Sequence, residues 1–286
     1  EMRKAGAATI LPEGQVNVPV LLVEYSNVKF SCTKEEIEAK FCKEGYDAPT
    51  VNPNIKCIGS AKDYFVDMSG GKFIPNFVVS DIITLDKTMA YYGMNSSSTD
   101  NDVRPTEMVR DACKAVDANY DFSQFDNNGD GEVEFIYVVY AGYGENMGAD
   151  SNTIWPHQWY MSALCHSVTL DGVKLDAYCC SNELYGIESS GKHLDGIGTV
   201  CHEFSHCLGL PDFYDVNYKN MGMSDWSLMA SGNYNANGYI PVGYSAYEKD
   251  FLGWIKLEEL TKASKYTLEP FMDSGKAYKI VNDQNP

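Results

Sequence analysis

His202-Glu203-Phe204-Ser205-His206-Cys207-Leu208-Gly209-Leu210-Pro211-Asp212 is the stretch from which the rest of the chain can be read. Two histidines stand four residues apart, and a glutamate follows the first. On an α-helix, positions i and i+4 share a face one turn apart, so two imidazoles here can grip one metal ion. Zinc suits nitrogen and carboxylate donors in a tetrahedral shell. Glu203 lies about 100° further round the helix. It can stay outside the donor set and still reach a water held there. A zinc hydrolase needs that arrangement, because the metal lowers the water's pKa and the carboxylate takes its proton. Gly209 predicts a left-handed helix stop near Leu208, and Pro211 prevents a return to helix. The chain is then expected to turn and bring Asp212 back as a third ligand, leaving the fourth position to water. Asp215 is the rival third ligand, and the spacing favours Asp212.

HExxHxxGxxD has the spacing of the metzincin zinc peptidases, with Asp212 where most of them carry histidine. The longer run HEFSHCLGLPDFYD, residues 202–215, followed by WSLMASGNYN, residues 226–235, resembles the immune inhibitor A-type bacterial metallopeptidases. The resemblance covers roughly residues 18 to 255. It implies an α/β (α+β) metzincin-like domain: a twisted mixed sheet, a metal-binding active-site helix and a smaller C-terminal subdomain. It also implies that Met229 occupies a tight turn beneath the metal. A tyrosine that helps the oxyanion is allowed, and Tyr234 is the candidate, although it lies further past Met229 than such tyrosines usually do. Ser205 departs from the family pattern, which expects glycine there. The segment from Gly59 to Gly93, together with Pro241, Gly253 and Trp254, also resembles the family.

The chain has 286 residues, 44% of them apolar, enough for one large domain or two modest ones. Its formal charge of −18 argues against nucleic acid or acidic membranes as partners. No apolar run is long enough to span a bilayer. No signal peptide stands at Glu1, so a targeting segment is expected outside this sequence. Nine cysteines cannot all pair, and they form no dense framework. Cys201 and Cys207 flank the metal helix and read as small packing residues.

In chain order, Val18–Tyr25 reads as a buried strand. Thr33 and Glu36 form a capping box for a helix reaching Cys42. Residues 47–56 read as loop, 60–68 as helix, and 72–79 as a strand with Pro75 at an edge or bulge. Residues 95–104 are loop, followed by a helix over 105–116 with Pro105 in its first turn. Asp126, Asn128, Asp130, Glu132 (through its carbonyl) and Glu134 resemble the first half of an EF-hand calcium loop. Tyr137 stands where the closing glutamate should be, so the segment is either a non-EF-hand calcium site or a plain turn. Phe135–Ala141 reads as a strand, and residues 140–144 are expected to form the cleft rim where extended substrate adds. His157, between two tryptophans, reads as structural. Asp171-Gly172 marks a hairpin. The metal helix is expected over 193–207 and a further helix over 241–252. Short alternating stretches at 265–268 and 278–281 suggest β-structure.

These readings converge on a secreted or cell-surface, bacterial-type zinc endopeptidase acting as a monomer on protein or peptide. Its metal is Zn2+, held by His202, His206 and Asp212, with Ca2+ as a second candidate ion. Glu203 is the general base toward the zinc-bound water. Residues 1–208 form the N-terminal subdomain, 209–260 the C-terminal one, and 261–286 lead into a further β segment. Two rivals come from other classes: a binding or adhesion module that keeps the metal for structure, and a zinc hydrolase acting on a non-peptide amide. An intact Glu203 argues against the first.

Overall fold

The computed structural model describes residues 8–97, 102–215, 217 and 219–282. The middle of the 95–104 loop and nearly all of the polar 282–286 tail lie outside the described residues. The strands are β1 (Gly14–Glu24), β2 (Phe73–Thr84), β3 (Ile136–Tyr143), β4 (His157–Tyr160), the hairpin β5 (Val168–Leu170) and β6 (Val173–Leu175), and β7 (Ala177–Leu184). The α-helices are α1 (Lys34–Cys42), α2 (Ala61–Ser69), α3 (Met89–Gly93), α4 (Pro105–Val116), α5 (Gly198–Cys207), α6 (Ala246–Phe251) and the single turn α7 (Phe271–Ser274).

A five-stranded sheet runs in the order β2-β1-β3-β7-β4. The first four strands are parallel, and β4 closes the sheet as an antiparallel edge. Parallel strands are covered on both faces, which is why they read as unbroken apolar runs. Val18, Val20, Leu22, Tyr137 and Cys179 face a core shared with α1, α2 and α5. Leu21, Val23, Val138, Tyr140 and Cys180 face a second core shared with α3 and α4.

Several local expectations hold. Thr33 and Glu36 make the capping box of α1. Pro75 sits in β2, which pairs only with β1, so its missing N–H leaves no central ladder broken. Asp171 and Gly172 both have positive φ (51° and 84°), as a two-residue hairpin turn requires.

Four expectations need correction. Residues 140–144 are not the rim of the cleft: β3 is hydrogen-bonded by β1 on one side and β7 on the other. Gly142 instead serves an irregularity between Tyr140 and Tyr143, where its N–H donates to Glu183 Oε2 at 2.9 Å. The metal helix begins at Gly198 rather than His193, because Leu194 bridges to Leu184 and Asp195 N–H donates to the Glu183 carbonyl. The helix expected over 241–252 is shorter. Val242 N–H donates to the Gly232 carbonyl, holding 241–244 out of helix, and Ser245 then caps α6. Residues 265–268 form no strand, although Tyr278–Lys279 pairs with Glu258–Glu259.

The segment after α5 packs on the same core as the sheet. Leu228, Met229, Tyr244, Leu252 and Trp254 belong to the cluster that holds α5. The Trp254 indole N–H donates to the Pro12 carbonyl at 2.7 Å, and Thr9 N–H donates to the Cys207 carbonyl at 2.9 Å.

Candidate metal centre

Helix α5 is keyed to the sheet by Phe204, whose ring packs on Phe65, Phe73, Phe77 and Phe135. That contact turns the opposite side of the helix, with His202 and His206, toward an open cleft of about 1030 Å³. The helix ends as its sequence predicts. Gly209 has φ +93°, its N–H donates to the His206 carbonyl, and Leu210 N–H donates to the Ser205 carbonyl. The turn carries the Leu210 carbonyl back to His206 Nδ1 at 2.8 Å. His202 Nδ1 meets the Leu228 carbonyl, also at 2.8 Å. A carbonyl only accepts, so both Nδ1 atoms carry the proton and both Nε2 lone pairs point the other way.

Those lone pairs converge on Asp212. Each Nε2 lies 3.3 Å from Asp212 Oδ1, and one donor atom from each residue falls within 4.8 Å of the others. Zinc bonds of about 2.0–2.1 Å in a tetrahedron place neighbouring donors about 3.3 Å apart, which matches both spacings. Asp212 Oδ1 is buried with no hydrogen-bond partner. A buried acceptor left that way is costly, and a cation between it and the two rings removes the cost. The donor set therefore fits a zinc ion. Asp215, the rival ligand, accepts from the N–H groups of Asn217 and Lys219 at the surface and stands outside this group.

The electrostatics agree. Burial opposes charge on His202, but contact with Asp212 and the negative charges of Glu203 and Asp212 outweigh it and raise the ring's pKa to about 9, so without a metal the same surroundings draw a proton to Nε2. Burial also opposes charge on Asp212, yet its contacts with His202 and His206 hold the carboxyl well below the usual range. The site favours positive charge at its centre. Glu203 is buried beside the histidines and lines the same cleft. Tyr234 reaches the cleft as well, its hydroxyl 3.3 Å from Asn146 Nδ2. Burial, and then the charge of Glu203, raise its pKa.

Met229 is fully buried in the core cluster that also holds α5. Its carbonyl accepts from Phe213 N–H at 2.7 Å, next to Asp212, while the adjacent Leu228 carbonyl serves His202. One turn thus braces two of the three candidate ligands. Ser205, where glycine was expected, bonds the Cys201 carbonyl and the Tyr244 hydroxyl, tying α5 to the segment before α6.

Residues 24–256 match the model of the immune inhibitor A peptidase M6 catalytic domain. The chain belongs to this family. Among its relatives, it is 29% identical over 270 residues to Immune inhibitor A of Bacillus thuringiensis subsp. alesti, covering 82% of this chain and 39% of that protein. It is 30% identical over 251 residues to the Pre-pro-metalloprotease PrtV of Vibrio cholerae serotype O1, covering 77% of this chain and 27% of that protein. The chain therefore spans well under half of either relative.

Other sequence-derived candidates stand outside the His202, His206 and Asp212 group. In the 126–134 turn, Asp126 accepts from the N–H groups of Gly129, Asp130 and Gly131, and Glu132 pairs with Lys174. Among the described residues, His202, His206 and Asp212 alone form a metal-ready group of three or more acidic, histidine or cysteine residues. His157 is held by the Tyr178 hydroxyl at 2.7 Å and the Trp155 carbonyl at 2.6 Å and also lines the cleft, outside the group of three. All nine cysteines are free, and Cys201 and Cys207 are buried. Sequence reasoning missed β4, an edge strand that lines the cleft with residues 157–160. Its Trp and Tyr carried a weak strand signal in too short a run.

Proposed function

We propose that this chain is the catalytic part of a secreted zinc endopeptidase that acts as a monomer on extracellular proteins. The observation that carries the reading is the meeting of His202 and His206, each Nε2 3.3 Å from Asp212 Oδ1, beside Glu203 in an open cleft. His202, His206 and Asp212 would hold the zinc. A bound zinc supplies Lewis acidity to a water and to the scissile carbonyl. Glu203 takes the proton of the attacking water and delivers it to the leaving amine. Tyr234 donates to the oxyanion from the same cleft. Met229 and its turn hold the ligands in place. An extended peptide is expected to lie along β4, which pairs with β7 on one side and lines the cleft. The cleft reading divides the chain at the Gly209 turn, between residues 1–208 and 209–260.

Calcium at Asp126, Asn128, Asp130, Glu132 and Glu134 is a separate proposal. It is supported by the alternation of oxygen-bearing residues, and a rise in melting temperature on adding calcium after zinc loading tests it.

The deciding experiment is cleavage of unfolded casein by the wild type and by Glu203→Ala, with zinc content assayed on both. The expected result is loss of cleavage in a variant that keeps its zinc. Cleavage at the wild-type rate by Glu203→Ala, or none by zinc-loaded wild type, overturns the proposal. Full metal affinity in Asp212→Ala removes that residue from the ligand set.

A further inference from the structure

Glu248 lies outside the cleft and outside the candidate donor set, yet it is fully buried. As the third residue of α6 it completes a capping box, accepting from Ser245 N–H at 2.6 Å through Oε2. A capping box does not require burial, and a buried carboxylate is costly unless both oxygens are bonded. The second oxygen explains the position: Oε1 accepts from the Ser227 hydroxyl at 2.8 Å. The single Ser227 hydroxyl proton is thereby committed to Glu248, and its lone pairs face Met229 N–H, which donates to it at 3.0 Å.

The Leu228 peptide is thus fixed from both sides. Its carbonyl is the acceptor for His202 Nδ1, and the Met229 carbonyl braces the residue beside Asp212. Ser227, Leu228 and Met229 are all fully buried, so no solvent competes for these bonds. The line Glu248–Ser227–Leu228–His202 joins an otherwise ordinary helix cap to a candidate metal ligand. We propose that Glu248 is a positioning residue for the metal centre, acting through Ser227 to aim the carbonyl that orients His202. The inference rests on the reading of His202, His206 and Asp212 as the zinc site.

The test is zinc affinity by chelator competition on the whole chain. It compares the wild type, Ser227→Ala, Glu248→Gln, the double variant, and Ser245→Ala as a control that disturbs only the cap. Groups that orient a metal's histidines typically contribute about 10–100-fold in affinity. Ser227→Ala and Glu248→Gln are expected to weaken zinc about tenfold, and the double variant little more than either, since they share one route. Ser245→Ala should stay within about twofold of wild type, because its loss is confined to helix stability. With zinc saturating, kcat should fall several-fold while KM stays within about twofold, since neither residue lines the cleft. Wild-type zinc affinity in Ser227→Ala, or a loss confined to melting temperature, overturns the proposal. Should Glu248→Gln fail to fold, Ser227→Ala decides alone. A wild type that binds no zinc defeats the metal reading itself, and this inference with it, an outcome distinct from equal affinities across the series.

Discussion

Phe204→Ala removes the ring that seats the metal helix on the sheet. The side chain is fully buried. Its centroid lies 4.7 Å from Phe65, 5.1 Å from Phe135, 5.6 Å from Phe77 and 6.0 Å from Phe73. A buried phenylalanine truncated to alanine costs about 3–5 kcal/mol. Aromatic pairs add about 0.5–1.5 kcal/mol each beyond area, but four contacts to one ring are not independent and do not sum. Four rings from α2, β2 and the entry to β3 cannot all collapse into the space, which places the expected loss at the upper end, about 4–5 kcal/mol. For a domain of this size that lowers the melting temperature by roughly 7–8 °C. The assay is urea denaturation followed by circular dichroism, run with zinc and again with chelator, because bound metal adds linked stability of its own. The loss should be similar in both, since it lives in packing rather than at the ligands. A loss below about 1.5 kcal/mol in the folded, metal-free variant refutes the view that this cluster anchors α5.

Other substitutions probe different contacts. Ser205→Gly leaves the buried Tyr244 hydroxyl without its α5 partner and should cost about 1–3 kcal/mol, while Tyr244→Phe, which keeps the Ser205 bond to Cys201, should cost less by the same denaturation assay. Gly198→Ala would put a Cβ 1.9 Å from the Asn233 carbonyl oxygen, a backbone atom that cannot swing aside, so a loss of at least about 3 kcal/mol and a poor yield of zinc-loaded protein are expected. Asp102 has a pKa pushed up to about 7, mainly by burial, against the Trp155 N–H bond that lowers it and with the charge of Glu145 adding to the rise. Its folded pKa exceeds the unfolded one, so the folded state keeps the proton longer and stability falls as pH rises from about 4 to about 7. Asp102→Asn should therefore gain on the wild type by on the order of 1–2 kcal/mol at pH 8, after discount for partial exposure, and by less at pH 5, in paired urea titrations.

The readable parts of the molecule were those set by near neighbours in the chain. Histidines four apart, a glycine three residues on and an acid beyond a proline specify the α5 turn through covalent spacing and backbone sterics alone. Thr33 and Glu36 announce a cap for the same reason. What failed depended on partners distant in sequence. The apolar run before Gly142 says that β3 is buried but not which strands flank it, so local sequence alone points to a cleft rim on what is a central strand. β4 is four residues long and acquires its role only beside β7. Ser245 and Glu248 carried a capping-box signal at the right spacing, and Pro241 drew the helix start away from it. That the same carboxylate also reaches Ser227 is a fact of packing that no local pattern encodes.

The opening turn of α5 has a consequence for how such a chain is made. The helix has no side-chain cap. Gly196, two residues before it, and Gly198, its first residue, lie so close to the carbonyls of Gly238 and Asn233 that a methyl group would not fit. A ribosome delivers the two histidines before it delivers that seat, before the Leu228 carbonyl that orients one of them, and before Trp254, which closes onto Pro12. The first of these contacts close loops of a few tens of residues, whereas Trp254 reaches back across almost the whole chain, and a loop of that length closes late. The growing polypeptide therefore carries its candidate ligands in sequence before it holds them in space.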